Sequence, residues 1–133
     1  MSELFDEPAL RVLEQQIDKW LGQIQLHNET ISAIDRGEND EIRWYVRMRG
    51  EEKEFTTVWL TLGQRTLRYE TYVMPAPMEN SQELYESLLR RNEKIVGARF
   101  SIGVEDAVFL GGELFLASIT EDELDRIIGT LYS

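Results

Sequence analysis

The stretch EIRWYVRMRGEEKEFTTVWLTLGQRTLRYETYVM, which runs from Glu41 to Met74, decides the fold of this chain. Its first part, Glu41 to Arg49, alternates apolar and polar residues, and this period of two is typical of a half-buried β-strand. Phe55 to Leu62 is rich in β-branched and aromatic residues, and Thr66 to Met74 alternates again. Short turns, the first at residues 50–53, join the three segments. The stretch therefore predicts an antiparallel three-stranded meander.

A helix precedes the meander. Apolar residues at steps of three and four predict an amphipathic helix from near Pro8 to about Gln25. Pro8 suits the first turn of a helix, because an N–H group at that position has no helical partner in any case. Residues 27–40 have no clear period, and we place Ile31 and Ile34 in an irregular edge segment that ends in a turn.

Two more helices follow the meander. Asn80, with a glutamate three residues later, has the capping pattern of a helix start, and the apolar spacing carries this second helix to near Gly97. Thr120 has the same pattern and begins the final helix. Between these helices, residues 99–104 and 107–117 alternate as two strands.

Acidic and glycine residues indicate a turn and an irregularity in these last two strands. Glu105-Asp106 is expected to form the turn between them, and Gly111-Gly112 is expected to mark a bulge or a close backbone approach. The resulting order is α-β-β-β-α-β-β-α. It indicates the α+β class, with a single antiparallel sheet and helices mainly on one face. We expect one domain over residues 1–133. The aromatic residues expected in its core are Trp20, Trp44, Phe55, Phe100, Phe109 and Phe115.

Composition excludes several kinds of chemistry. The 133 residues include no cysteine and one histidine, His27, which excludes disulfides, thiol catalysis and histidine-rich metal sites. With 14 basic and 25 acidic residues, the net charge of −11 makes the chain a poor general binder of phosphate backbones or anionic membranes. We assign His27 to a helix end or the surface, and we expect no cofactor and no metal. We recognise no targeting segment and no membrane-length apolar run, so the expected compartment is the cytoplasm.

A row of arginines is the first candidate interaction surface. Arg43, Arg47 and Arg49 share one face of the first meander strand with Tyr45, and Arg68 lies on the third strand. Such a row suits the backbone and bases of single-stranded nucleic acid, but it is also typical of a polar outer face whose arginines pair with neighbouring glutamates. The net charge favours the polar outer face.

Trp59 extends this surface. If its neighbours Val58 and Leu60 face the helices, Trp59 points away from them, where an exposed tryptophan is a natural anchor for a partner. Burial at a dimer or sheet face is the alternative. The candidate partner-binding face therefore consists of Arg43, Tyr45, Arg47, Arg49, Trp59 and Arg68.

The second helix is the candidate dimer surface. It carries more apolar surface than a short helix on a small sheet needs for packing. The residues concerned are Leu84, Tyr85, Leu88 and Leu89.

Four motifs, in order, resemble the YbjN family, and more narrowly its actinobacterial members. They are YETYVMPAP from Tyr69, LYESLLRRN from Leu84, GARFSI from Gly97 and TEDELDRIIG from Thr120. The resemblance covers the chain from about Ile42 to its end. It implies a fold like that of type III secretion chaperones, which are usually homodimers that bind extended segments of partner proteins. Members of the family are labelled sensory transduction regulators, and the resemblance carries over no catalytic residue.

These observations predict a non-enzymatic protein-binding module that acts as a regulator, adaptor or chaperone-like factor. We expect a homodimer with an unidentified protein partner. The alternatives are a nucleic-acid-binding regulator that uses the arginine–tyrosine face, and an enzyme that relies on paired carboxylates alone, as in glycoside hydrolysis.

Overall fold

The structure is a computed structural model, and it describes residues 5–38, 40–50 and 54–132. Residues 51–53 of the first predicted hairpin turn therefore lie outside the described residues, as does Asn39 in the turn before the meander.

Three α-helices, six β-strands and two 3-10 helices, at Val104–Asp106 and Leu116–Ser118, make up the regular structure of the described residues. The strands form one antiparallel sheet in the order β1-β2-β3-β4-β6-β5. The α+β class with a single antiparallel sheet is therefore confirmed. In chain order the elements are α1 (Glu7–Leu26), β1 (Ile31–Arg36), β2 (Ile42–Arg49), β3 (Phe55–Leu62), β4 (Thr66–Met74), α2 (Ser81–Asn92), β5 (Arg99–Ile102), β6 (Val108–Phe115) and α3 (Glu121–Tyr132).

The edge strand β1 is the element that the sequence pattern did not predict. Ile31 lies opposite Met48 of β2, and Ile34 lies opposite Val46, so both isoleucines face the core although they are three residues apart. An irregularity in register between Ile31 and Ala33 makes this possible. The bulge breaks the period of two, which is why residues 27–40 did not resemble a strand.

Helices α1 and α3 cover one face of the sheet and pack against each other. Each helix turns one apolar stripe toward the strands, and the strands contribute every second residue to the same core. The largest fully buried side chains include Trp44, Ile17, Leu21, Met48, Leu60, Leu67, Leu124, Ile127 and Ile128.

Of the two predicted helix caps, the one at Thr120 is confirmed, and the structure adds a cap at Asp6. The Asp6 carboxylate accepts a hydrogen bond from the Ala9 N–H group (2.9 Å), and the Thr120 hydroxyl accepts one from Glu123 (3.1 Å). The predicted cap at Asn80 is wrong, because its backbone is left-handed (φ 57°) and its side chain makes no capping bond. The second helix also ends at Asn92, five residues before Gly97.

Two of the aromatic residues predicted in the core are exposed instead. Phe55 is 60% exposed, and Phe115 is similarly open to solvent. Both lie on the face of the sheet opposite α1 and α3, which no helix covers in the described residues. Trp44 lies in the core as predicted, and Trp20 is partly buried and packs against the core.

Candidate interaction surfaces

The outer face of the sheet, defined as the side opposite α1 and α3, brings the six predicted partner-binding residues together. Tyr45 lies opposite Trp59, which in turn lies opposite Glu70 of β4. In the same way Arg43, Thr61 and Arg68 form one cross-strand row. Because every second residue of a strand points to the same side, Arg47 and Arg49 share this face. The placement of Trp59 away from the helices agrees with the alternation of Val58 and Leu60 into the core.

An aromatic row, formed by Tyr45, Trp59, Phe109 and Tyr72, crosses the outer face. The ring centroids of Tyr45 and Trp59 are 6.3 Å apart at 85°, and those of Tyr72 and Phe109 are 5.9 Å apart at 83°. Phe109 joins the two pairs, with its ring centroid 6.2 Å from that of Trp59. These edge-to-face contacts stabilise a continuous apolar strip on a face that no helix covers in the described residues.

Charged groups surround the aromatic row unevenly. The Arg43 guanidinium donates to Thr61 (2.9 Å) and Glu41 (2.8 Å), and it lies 5.6 Å from the centroid of the Trp59 ring. Arg47 differs, because its cross-strand neighbours are Ala33 and Thr57. Within residues 5–38, 40–50 and 54–132 no ion pair involves its guanidinium. Arg47 is therefore a cation on the outer face without a facing carboxylate in that part of the chain.

A hollow of about 440 Å³ opens beside Arg47. Thr57 lies between the larger side chains of Phe55 and Trp59 on β3, and this difference in size shapes the hollow. Sequence reasoning placed Tyr72 on the same face as Arg68, but it assigned Phe55 and Phe109 to the core. For Phe55 the signal was present, since it alternates in step with Trp59. The lining residues are Tyr45, Arg47, Phe55, Thr56, Thr57, Trp59, Thr71 and Tyr72.

The second surface is a groove between α2 and β5, here called the α2 groove. None of the α2 side chains is buried, and Leu89 is 68% exposed. Leu84, Tyr85 and Leu88 are half-buried, so all four predicted interface residues remain accessible. The groove has a volume of about 280 Å³ and is lined by Tyr85, Leu88, Leu89, Asn92, Phe100, Ser101 and Ile102.

Asn92 fastens α2 to the sheet edge. Its side-chain oxygen accepts a hydrogen bond from the Phe100 N–H group (2.6 Å), and its amide nitrogen donates to the Phe100 carbonyl (3.1 Å). The two bonds occupy main-chain groups that another strand would otherwise use. The Asn92 side chain thus covers the middle of the β5 edge.

The titratable groups of the described residues include one histidine and a buried tyrosine. His27 is exposed and ends α1, where its N–H group bonds the Ile24 carbonyl. No group of three or more His, Cys, Asp or Glu residues in the described ranges is placed to hold a metal ion. Tyr69 has a pKa above its ordinary value because burial disfavours the phenolate, and its hydroxyl donates to the Gly97 carbonyl at 2.6 Å.

Carboxylates line two hollows in the described residues, an open one of about 440 Å³ along α2 with Glu83, Glu86 and Glu93, and a small pit on the outer face. Glu70 and Glu113 line the pit together with Arg68 and Arg99, and its volume is about 70 Å³. Binding sites for small molecules typically measure several hundred Å³, so the pit does not fit a sugar ring.

No helix in the described part of the chain combines the length and apolar character needed to cross a bilayer.

The chain is similar to mycobacterial proteins. It is 32% identical over 84 residues to "Uncharacterized protein Rv0487" of Mycobacterium tuberculosis, a match that covers 63% of this chain and 46% of that protein. It is 28% identical over 106 residues to "Uncharacterized protein ML2442" of Mycobacterium leprae, a match that covers 80% of this chain and 58% of that protein. The chain thus spans about half the length of the curated relatives it matches.

A solved structure shares the fold. A chain of the heterodimeric complex ExoU-SpcU, from the type III secretion system of Pseudomonas aeruginosa, superposes with a TM-score of 0.59 at 16% identity. The match covers 87% of this chain and 88% of that one. The predicted likeness to a type III secretion chaperone fold is therefore confirmed at the level of the fold.

The sequence profile of the YbjN family, described as "Putative bacterial sensory transduction regulator", matches residues 14–131. The match begins inside α1, farther upstream than Ile42, where the motif resemblance began. It covers most of the three helices and the whole sheet, and on this ground the chain belongs to the YbjN family.

Proposed function

We propose that this chain is a non-enzymatic protein-binding module, which acts as a regulator, adaptor or chaperone-like factor and works as a homodimer. The family and the fold support the general role. The observation that carries the dimer is helix α2, which is amphipathic and yet buries none of its side chains. A second copy of the chain is the occupant that we assign to the α2 groove.

Apolar surface favours association at this helix. Leu89 is 68% exposed and Ile102, across the groove on β5, is 54% exposed. Complete burial of a side chain of this size stabilises a complex by about 1.5–3 kcal/mol, and partial burial by proportionately less. A two-fold interface would remove both residues from water on each of two copies.

Charge along α2 is arranged for self-association. Its first turn carries Glu83, and its last turn carries Arg90 and Arg91. When two identical helices pack antiparallel about a two-fold axis, the first turn of one lies beside the last turn of the other. The acidic end of each copy would then face the basic end of its partner.

The first test is the molar mass of the purified chain by light scattering. A dimer has a mass of about 31 kDa, twice the 15.5 kDa of the chain. Leu89→Asp should give monomers, because it introduces a charge into the interface while costing the monomer little at an exposed position. Val12→Asp is the matched control, since Val12 is an exposed apolar residue of α1. A monomeric wild-type chain at tens of micromolar, or an intact dimer in Leu89→Asp, would contradict the proposal.

A charge-swap experiment tests the antiparallel arrangement. Reversing the basic end in Arg90→Glu/Arg91→Glu should weaken the dimer, because like charges would then face each other. Adding Glu83→Arg and Glu86→Arg should restore it. A dimer that is equally stable in all three forms would exclude antiparallel pairing of α2.

The nucleic-acid alternative has less support. Two of the three ring contacts in the aromatic row are edge to face, and the Arg43 guanidinium lies over the Trp59 ring, so the rings are not arranged as a flat platform for stacked bases. The net charge of −11 also repels a phosphate backbone.

A further inference from the structure

We infer that the outer face of the sheet binds an extended acidic protein segment that inserts one bulky apolar side chain beside Trp59. This inference rests on the proposed protein-binding role and specifies the chemistry of the partner. It combines the charge of the outer face, the shape of its hollow and the arrangement of its rings.

The outer face is far less acidic than the whole chain, even when Glu41, which pairs with Arg43, is counted with it. The net charge of the chain is −11, yet the strand residues that point outward include five arginines and three carboxylates. An acidic segment is attracted to this face and repelled by the rest of the surface, which restricts where it docks. The residues are Arg43, Arg47, Arg49, Arg68 and Arg99 against Asp35, Glu70 and Glu113.

Arg47 specifies where a carboxylate of the partner would bind. Arg47 lines the hollow, and its cross-strand neighbours Ala33 and Thr57 offer no charge. A ligand that covers the hollow takes the Arg47 guanidinium out of water. That step is unfavourable unless an acceptor replaces the water, and a carboxylate binds a guanidinium with two parallel hydrogen bonds.

The hollow itself specifies an apolar side chain. It is lined by the rings of Tyr45, Phe55, Trp59 and Tyr72, and the smaller Thr57 lies between Phe55 and Trp59 on the same face of β3. Phe55 is 60% exposed, so a bulky apolar side chain placed here would shield apolar surface that the folded chain leaves in water. Tryptophan, tyrosine and arginine, the residues that dominate protein interfaces, all line this site.

The experiment uses four fluorescent probes and the full-length chain. They are a short peptide rich in aspartate and glutamate with a central phenylalanine, the same peptide with serine in place of phenylalanine, a lysine-rich peptide with the phenylalanine, and oligothymidylate. The acidic phenylalanine peptide should bind about tenfold more tightly than each other probe by fluorescence polarisation. Tighter binding of the lysine peptide or of oligothymidylate would overturn the inference.

Two variants locate the binding site. Arg47→Glu should weaken binding of the acidic phenylalanine peptide about tenfold or more by reversing a charge that lines the hollow. Thr57→Tyr should weaken it by filling the hollow, and tyrosine suits an outward strand position. Arg11→Glu, which makes the same charge change on an exposed position of α1, should have little effect. Equal losses in Arg11→Glu and Arg47→Glu would overturn the inference.

Light scattering on the same samples separates this inference from the proposed dimer. If no probe binds while the wild-type chain remains dimeric, the acidic-segment site is wrong and the dimer stands. If the chain is monomeric but binds the acidic phenylalanine peptide through Arg47, the dimer is wrong and the site stands.

Discussion

Close contacts between individual residues hold β4, β6 and the segment before β5 together. Tyr69 of β4 lies opposite Gly112 of β6, and its hydroxyl reaches the carbonyl of Gly97. A Cβ atom on Gly112 would lie 2.7 Å from the Tyr69 oxygen, and one on Gly111 would overlap the Tyr69 carbonyl. Gly111-Gly112 was expected to mark a bulge or a close approach. The structure shows the close approach, with regular register at both glycines.

Gly111→Ala should destabilise the fold by about 2 kcal/mol, because the added methyl group meets main-chain atoms of Tyr69 and Glu70 that cannot rotate away. Gly129→Ala is the control: it lies in α3 with nothing near its Cβ position, and it should stabilise by about 0.5–1 kcal/mol. Urea unfolding measures both changes. Equal effects of the two substitutions would contradict the close-approach account.

Tyr69 should also make stability depend on alkaline pH. Burial raises its pKa, so the unfolded chain loses this proton first as pH rises past its ordinary pKa of about 10. The stabilisation is complete below that pH and declines as pH rises toward the higher pKa of the folded state. The wild-type chain and Tyr69→Phe therefore differ in their free energy of unfolding, and this difference should be smaller above about pH 10 than at about pH 9. Urea unfolding at both values tests this, and a constant difference would show that Tyr69 contributes nothing to the pH dependence.

Single secondary-structure elements show where local sequence patterns succeed and fail. The three meander strands and α1 were predicted within one or two residues, because each has an unbroken period and sharp turn residues. β1 was missed because its bulge interrupts the alternation. The end of α2 was predicted five residues too late, because Ile95 and Val96 continue the apolar spacing beyond Asn92, where the helix ends.

The turn between β5 and β6 contains residues that are unfavourable for its backbone conformation. Glu105 and Asp106 form the predicted turn, and both have positive φ angles, 57° and 59°. This conformation matches the two-residue hairpin turns that favour Asn-Gly. Glu105→Asn/Asp106→Gly should therefore stabilise the chain by about 1 kcal/mol, measured as a higher Tm. Ala107→Gly, at a neighbouring position with ordinary extended backbone, should lower Tm, and a higher Tm in both variants would contradict the turn assignment.

Asn92→Ala should open the β5 edge. Loss of two hydrogen bonds to Phe100 should destabilise the fold by about 1–2 kcal/mol. The Phe100 amide should also exchange its hydrogen faster, because it loses the acceptor that protects it. Hydrogen exchange followed by NMR tests this directly. Unchanged protection at Phe100 would mean that Asn92 does not cover the edge.

At the scale of the whole molecule, helices α1 and α3 cover one face of the sheet, and within residues 5–38, 40–50 and 54–132 no helix covers the other. Alternation along β2, β3 and β4 was enough to place the arginines and Trp59 together on the outer face. It was not enough to place Phe109 there, because that required the pairing of β4 with β6. Nor did any local pattern reveal the hollow, which arises from side chains of three strands. The two candidate surfaces meet at β5, because Ser101 and Ile102 line both the α2 groove and the small pit on the outer face. The hollow beside Arg47 is lined by residues of β2, β3 and β4 instead, so the proposed acidic segment and the proposed second copy would occupy different residues.

The absence of cysteine makes the central claim directly testable. Leu89→Cys places one thiol on the exposed side of α2, and Val12→Cys places one on an equally apolar, exposed position of α1. A short bismaleimide cross-linker at low protein concentration should convert Leu89→Cys to covalent dimers and leave Val12→Cys monomeric. Cross-linking that is equally weak in both variants, or stronger in Val12→Cys, would contradict a homodimer built on α2.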